Sequence, residues 1–579
     1  MIKKFLPYLK EFKKNVILMP VFMLLEVAGE MILPLLIAGI IDKGINGGGG
    51  LPVIMPYSIG MIALAFVSLG CGILSSKNSA VATQGFGRNI RKALFEKVQT
   101  FSFNDIDNFS SASLITRLTN DVRTIQGMVG MAVRMVLRTP VQMIASLVIC
   151  LTMNAKLTII LGIALPVMAV FVVKIMKKAH ALFKAQQTAI DGMNNAVQEN
   201  LVAIRVVKAF VREDHEREKF KKANDNLRDT SLRASFHMMK VFPVMTLILQ
   251  AATVAVYYWG AFDIRDGAML TGELTAYVGY ISRVLMSVFM VSQSLNQVTR
   301  AAACATRLIE VLDTDPDIKD GTATELPEAK GKIEFKNVSF KYRTGTGDDV
   351  LHDVSLSIEP GEFVAIMGGT GTGKSTLVNL IPRFYDVSEG QILVDGMDVR
   401  DYPIEALRSR IGMVLQKNLL FSGTIKENLM WGNPNATDEE IMQAARDAQA
   451  EEFILANPDG YDTFLEQGGV NVSGGQKQRL CIARAMLRHP SILILDDSTS
   501  AVDTMTEAAI RESFHRNLKD TTVVIIAQRI SSVESADKII IVDDDHIAAV
   551  GTHEELLATS PIYQEIYQSQ QEGGSMPNG

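Results

Sequence analysis

Cysteine is scarce in this chain of 579 residues, with only Cys71, Cys150, Cys304 and Cys481. They stand singly and without metal-ligand spacing, and three lie in apolar context, so buried free thiols are the reading they support. A cationic excess is also missing. The formal net charge is −6 and no basic stripe is interleaved with aromatics, which excludes a nucleic-acid partner. Beyond about residue 330 there are no long apolar runs. Charged residues are spread through that part, and short apolar stretches alternate with Gly-rich turns, as in a soluble α/β domain. The first 300 residues are the opposite, with long apolar stretches and charge confined to gaps, so the mean hydropathy of +0.18 averages two unlike halves. The chain is too long for one hydrophobic core, and at least two domains are expected.

The N-terminal run after Lys3, Lys4, Lys10, Lys13 and Lys14 lacks a small-residue cleavage pattern, exceeds a signal core and is followed by further apolar segments. It reads as a first membrane span. Six spans of roughly 20 residues or more are expected, at about 15–41, 53–82, 129–153, 156–176, 241–262 and 273–299. Basic residues are nearly absent from the connections 42–52, 154–156 and 263–272. They gather at the N-terminus and over Arg88–Arg138 and Lys174–Lys240, which puts both termini in the cytoplasm. The two long inner gaps carry apolar residues at helical spacing and read as membrane helices continued into the cytoplasm. A short helix within SASLITRLTNDVRTIQ, capped by Ser111 or Ser113, is expected to lie across a neighbouring domain. Glu26 and Glu30, four residues apart inside the first span, must face the bundle interior or a wet cavity, or pair with a basic residue. The glycine run Gly47–Gly50 in an outer loop is given no functional role.

The strongest local signal is EFVAIMGGTGTGKSTLVNLI, in which an apolar strand feeds a Gly-rich turn from Gly368 to Gly373 and then an apolar helix. This is the strand, phosphate-binding loop and helix context in which backbone N–H groups wrap phosphate. Lys374 reaches the β and γ phosphates, and Ser375 can ligate Mg2+. A second apolar strand, Ser491–Leu495, ends in Asp496, a carboxylate suited to hold Mg2+ through water. Between them, Ser473, Gly474 and Gly475 precede a basic amphipathic helix whose start suits a phosphate from another subunit.

With these motifs the chain resembles half-size exporters of the ATP-binding-cassette superfamily over almost its whole length, and most closely those of heterodimeric bacterial multidrug exporters. The resemblance implies a multidomain membrane protein: an all-α six-helix transmembrane domain at 1–315, a linker at 316–330, an α/β P-loop NTPase domain at 331–570 and a flexible tail at 571–579. It makes Tyr342 the aromatic that stacks on adenine, and Gly368, Gly369, Thr370, Gly371, Thr372, Gly373, Lys374, Ser375 and Thr376 the Walker A loop. It makes Gln416 the glutamine that senses Mg2+, Asp496 the Walker B aspartate, and Ser500 to Asp503 the D-loop. Val472, Ser473, Gly474, Gly475 and Gln476 match the signature that meets ATP on a partner, with Val472 where Leu is usual. The segment LITRLTNDV and the region Ala209–Asp214 become coupling helices. ATP and Mg2+ are the implied cofactors, and a hydrophobic or amphipathic compound the substrate.

Two departures stand in the set expected to catalyse. Asp497 occupies the position of the family's Glu, shorter by about 1.5 Å, and Gln528 replaces the switch histidine, removing a group that titrates near neutral pH. His553 belongs to a later segment and does not replace it. The resemblance then implies a partner half-transporter with intact Glu and His in the bacterial cytoplasmic membrane. A lipid or peptide exporter with the same motor, and a slow homodimeric ATP-dependent regulator, are the alternative readings.

Overall fold

The computed structural model describes residues 2–132, 137–342, 349–497 and 503–574. Two compact units emerge. One comprises Met1–Val98 with Ala112–Thr314, and the other Gln99–Ser111 with Asp315–Gly579.

The first unit is helical. The six expected spans fall on helices Lys13–Gly39, Gly50–Gln99, Thr139–Met153, Ala155–Val202, Val241–Arg265 and Thr271–Asp313. Among the described residues, four helical stretches are long and apolar enough to cross a membrane, and Thr139–Met153 is a shorter apolar helix. The predicted third span includes residues 133–136, outside the described set. Pro20, Pro34, Pro56 and Pro166 sit inside these helices, which a bundle tolerates because neighbours satisfy the freed backbone groups. Large apolar side chains such as Ile17, Leu25, Phe66 and Ile163 are exposed, as befits a surface facing lipid, whereas Met23, Leu161, Met168, Tyr277 and Tyr280 are fully buried. Ala155–Val202 and Glu213–Met239 continue well past the apolar segments, as the periodicity of the inner gaps predicts.

Glu26 and Glu30 take the paired alternative. Arg138 Nη1 donates to Glu26 at 3.0 Å, Arg138 Nη2 to Glu30 at 2.7 Å, and Arg283 Nη1 to Glu30 at 3.4 Å. Arg138, counted in the sequence with the basic stretch Arg88–Arg138, is thus the shared partner of both carboxylates. Helical rise puts Glu30 roughly 14 Å from the Gly39 end of its helix, Arg283 roughly 18 Å from Thr271, and Arg138 roughly 22 Å from Met153. Glu26, Glu30 and Arg283 lie inside their apolar helices and Arg138 stands at the start of Thr139–Met153, and a carboxylate within an apolar segment is costly without a cation.

A short helix does open at Ser111, inside the expected stretch 111–126, running Ser111–Thr116 before the chain continues helically to Ala132. The second unit, which also takes in Ser111, holds a second short helix, Phe103–Phe109. Ser102 caps it, accepting from the Asp105 N–H while the Asp105 carboxylate accepts from the Ser102 N–H at 2.9 Å. Its Phe103 ring packs on Phe384 at 4.5 Å between centroids, and Tyr385 donates to Asp107 at 3.3 Å. The other predicted coupling region is the tight connection after Ile204–Ala209. Phe210 and Val211 stand there with Val211 at φ 52° and 80% exposed.

The second unit is α/β. Its strands are β1 (Ile333–Phe340), β2 (Leu351–Ile358), β3 (Phe363–Gly368), β4 (Glu389–Val394), β5 (Met397–Asp398), β6 (Ile411–Val414), β7 (Gly423–Thr424), β8 (Phe464–Leu465), β9 (Ile492–Asp496), β10 (Thr522–Ile526), β11 (Lys538–Asp543) and β12 (His546–Gly551). An antiparallel sheet runs β2-β1-β4-β5, and the main sheet runs β12-β11-β3-β10-β9-β6, parallel except for the edge strand β12. Every residue of β9 and β10 is buried, because a parallel sheet is covered on both faces and its strands read as unbroken apolar runs. The C-terminal helix, Pro561–Gly574, extends past residue 571, where a tail was expected; residues 575–579 lie outside the described set.

Candidate nucleotide site

The register of the main sheet gathers the functional residues at one end. Ile526 of β10 pairs with Ile366 of β3 on one side and with Asp496 of β9 on the other, and Val414 of β6 pairs with Leu495. The loops that leave these strands therefore emerge side by side. They carry Gly368–Thr376 after β3, Gln416 after β6, Asp497 after β9 and Gln528 after β10. Ligands of open α/β sheets bind at this carboxyl end of the strands.

The result is a cleft of about 700 Å3, lined by Tyr342, the loop residues from Gly368 to Thr376 except Thr372, and Gln416, Asp496, Asp497, Gln528 and Ile566. The loop is built by glycine. Gly368 has φ 148°, and a Cβ there would lie 2.0 Å from the Val542 carbonyl oxygen. Gly373, at φ 88°, turns the chain into helix Lys374–Leu380. Thr372 closes the loop by donating to the Gly369 carbonyl at 3.0 Å. The Lys374 ammonium donates to the carbonyls of Gly368, at 3.1 Å, and Gly369.

Opposite the loop, Ser375 Oγ donates to Asp496 at 2.9 Å. Two hard oxygens on neighbouring elements suit Mg2+, and Ser375 and Asp496 are the residues that would hold it. Among the described residues no group of three or more His, Cys, Asp or Glu could hold a metal, so such an ion needs further oxygens, which a nucleotide's phosphates carry. Tyr342 lines the cleft, its hydroxyl 2.9 Å from Thr376 Oγ1 and its ring edge-on to Phe340 and Tyr385.

Asp497 and Gln528 touch each other. Gln528 Nε2 donates to Asp497 Oδ2 at 2.9 Å, and Gln416 hydrogen-bonds the same carboxylate. Asp497 has φ 48°, a left-handed conformation that Asp tolerates better than most residues, and the turn ends β9 beside the loop. Burial pushes the carboxyls of Asp496 and Asp497 above the usual range. The bond from Ser375 opposes this for Asp496, as do those from Gln416 and Gln528 for Asp497. Burial lowers the Lys374 ammonium, and the charges of Asp497 and Asp496 partly restore it.

The remaining predicted residues stand elsewhere. Ser473 caps helix Gly474–Met486, and Gln476 returns the bond to the Ser473 N–H at 2.9 Å, closing a capping box. Val472 to Gln476 and Asp503 do not line the cleft described above. Asp503 caps helix Thr504–Asn517, and Ser500, Ala501 and Val502 lie outside the described residues. His553 binds the Tyr563 hydroxyl at 2.6 Å, away from the cleft lining. Sequence reasoning missed Ile566, whose place in the cleft no local pattern announces, and Gln478, buried, which donates to the Asp497 carbonyl at 3.5 Å.

Residues 16–289 match the ABC transporter transmembrane region, and residues 351–500 the ABC transporter family. The chain is 42% identical to the uncharacterized ABC transporter ATP-binding protein YfiB of Bacillus subtilis (strain 168), over 98% of each chain. It is 38% identical to the uncharacterized ABC transporter ATP-binding protein Rv1273c of Mycobacterium tuberculosis (strain ATCC 25618 / H37Rv), over 97% of each. Another relative, 33% identical over 98% of each chain, is provisionally named the multidrug export ATP-binding/permease protein YgaD of B. subtilis (strain 168). In fold it is similar to a bacterial Atm1-family ABC exporter solved with ATP bound, at a TM-score of 0.82 and 24% identity, over 96% of this chain and 99% of that one. With a transmembrane half, an ATP-binding half and relatives matched end to end, this chain belongs to the ABC transporter family, as a multi-pass membrane protein that joins one transmembrane region to one ATP-binding domain.

Proposed function

We propose that the chain is the degenerate-site half of a heterodimeric exporter that moves hydrophobic or amphipathic compounds across the bacterial cytoplasmic membrane, with both termini inside. The hydrogen bond between Asp497 and Gln528 carries this reading. It joins Asp497 and Gln528 in one cleft with Lys374, which supports reading them as the altered counterparts of a catalytic Glu and a switch His. The Asp497 carboxylate is shorter by about 1.5 Å, and a 1 Å misplacement costs on the order of 100-fold in rate. Gln528 engages that carboxylate as a neutral donor and has no proton to exchange near pH 7.

The division of labour follows from the placement of the motifs. Lys374 and the loop N–H groups bind phosphate, Tyr342 meets the adenine, and Ser375, Asp496 and Gln416 hold Mg2+, which neutralises phosphate charge. Neither the segment Val472–Gln476 nor Asp503 lines the cleft of its own domain, which supports their use against a second chain's nucleotide. This chain therefore retains ATP in its own cleft and completes the hydrolytic site of its partner. A partner half-transporter with an intact Glu and switch His supplies the turnover. ATP closes the two domains and favours the outward-open state, because only a ligand with differential affinity shifts such an equilibrium. The multidrug character rests on the names of relatives such as YgaD and on the apolar bundle.

ATP turnover of the reconstituted chain, alone and with its candidate partner, tests the reading. The expected result is low activity alone, high activity together, and loss when the partner's catalytic Glu is changed to Gln. The double change Asp497→Glu with Gln528→His should raise turnover of this chain's site by at least about tenfold. Equal turnover by the chain alone and by the pair refutes the proposal.

A further inference from the structure

The C-terminal helix reaches the nucleotide cleft by a contact that the family motifs do not contain. Ile566 on this helix lines the cleft, and Gln570, one turn later on the same face, grips the loop that carries Gln528. Gln570 Nε2 donates to the Gln528 carbonyl at 2.7 Å, and Gln570 Oε1 accepts from the Ile530 N–H at 2.9 Å. The arrangement fixes the amide's orientation, since the carbonyl can only accept and the N–H can only donate. One side chain thus spans the backbone on both sides of Arg529, as a neighbouring strand would.

The helix is itself well anchored. Tyr563 is fully buried and bonded to His553, and Ile562, Ile566 and Tyr567 pack on the core that contains Ile530. From the other side, Glu507 accepts from the Ser532 hydroxyl and pairs with Arg529 at 3.7 Å. The backbone of Gln528 is therefore held by Gln570, and its side chain ends on Asp497.

We propose that Gln570 is a positioning residue of the nucleotide site, which sets the reach of Gln528 toward Asp497 and so slows the release of MgATP from this chain's cleft. The inference rests on the reading of the cleft as an ATP site. It makes the C-terminal helix a working part of that site, and ties the rate of nucleotide exchange to how firmly the helix is seated.

The test uses the full-length chain in nanodiscs and a fluorescent ATP analogue with Mg2+, measuring release by stopped flow. Gln570→Leu should speed release about threefold to tenfold, the range for losing one or two exposed hydrogen bonds, and should raise hydrogen exchange at the Ile530 amide. Gln570→Glu keeps the acceptor for that amide and should leave its exchange near wild type, while speeding release because the bond to the Gln528 carbonyl is lost. In a Gln528→Ala background, Gln570→Leu should add little, because the two residues act through one contact. Unchanged release in Gln570→Leu, or effects of Gln570→Leu and Gln528→Ala that simply add, overturns the proposal. Lys374→Ala separates the two levels: if it leaves analogue binding unchanged, the reading of the cleft as an ATP site fails, whatever Gln570 does.

Discussion

A carboxyl taken out of water holds its proton more tightly than one on an unfolded chain, and Asp496 and Asp497 both do so beside Lys374. The sign of the consequence follows from linkage. Folding raises both pKa values, so lowering the pH through the folded values stabilises the nucleotide-free protein, and the gain levels off below the unfolded values. Mg2+ needs ionised Asp496, so Mg2+-dependent ATP binding should fall on acidification before ordinary surface carboxylates titrate. Asp496→Asn should abolish the Mg2+-dependent part of binding and flatten the pH dependence of thermal stability in the nucleotide-free protein. Titrating ATP affinity with and without Mg2+ from neutral to mildly acidic pH checks the first effect, and thermal melts over the same range the second. An affinity that holds down to the usual carboxylate range contradicts this account of the site.

At the scale of elements, the charged network of Glu26, Glu30, Arg138 and Arg283 ties helices Lys13–Gly39 and Thr271–Asp313 to the start of Thr139–Met153. Arg138→Leu leaves Glu26 without its partner and Glu30 with only the longer contact to Arg283. Removing one partner of such a pair costs about 2–3 kcal/mol here, toward the low end because the side chains are partly exposed. A lower melting temperature in detergent is expected, with a smaller loss in Glu26→Gln, and an unchanged Arg138→Leu protein means that the network does not hold these helices together. The sequence makes the need for a partner legible, since two carboxylates four residues apart sit inside a span. It does not identify Arg138, because a basic residue near a span end counts equally well as a cytoplasmic charge until the helices are packed. The strands and the Gly-rich loop were legible for a different reason: each is a contiguous signal in which local geometry and chemistry agree. Phe103–Phe109 escaped because Asp105 supplies its capping box where Glu or Gln is the usual sign. Gln570 escaped because its partners lie far away in sequence and its own helix carries no motif.

At the scale of the whole molecule, the proposal turns on asymmetry between two ATP sites. The cleft at the end of the main sheet is lined by the Gly-rich loop, by Ser375 with Asp496 and by the Asp497–Gln528 pair, and no residue of Val472–Gln476 is among its lining. A chain that both retains nucleotide in its own cleft and lends Val472–Gln476 to another explains why the signature is nearly intact while the hydrolytic pair is altered. Selection on the two functions is then separable, because they belong to different sites. The most direct measurement is to trap nucleotide during turnover in the reconstituted pair, using photoreactive, radiolabelled ATP, and to identify the label on each chain separately. The account predicts intact ATP on this chain and ADP on the partner. Equal amounts of ADP on both chains contradict it.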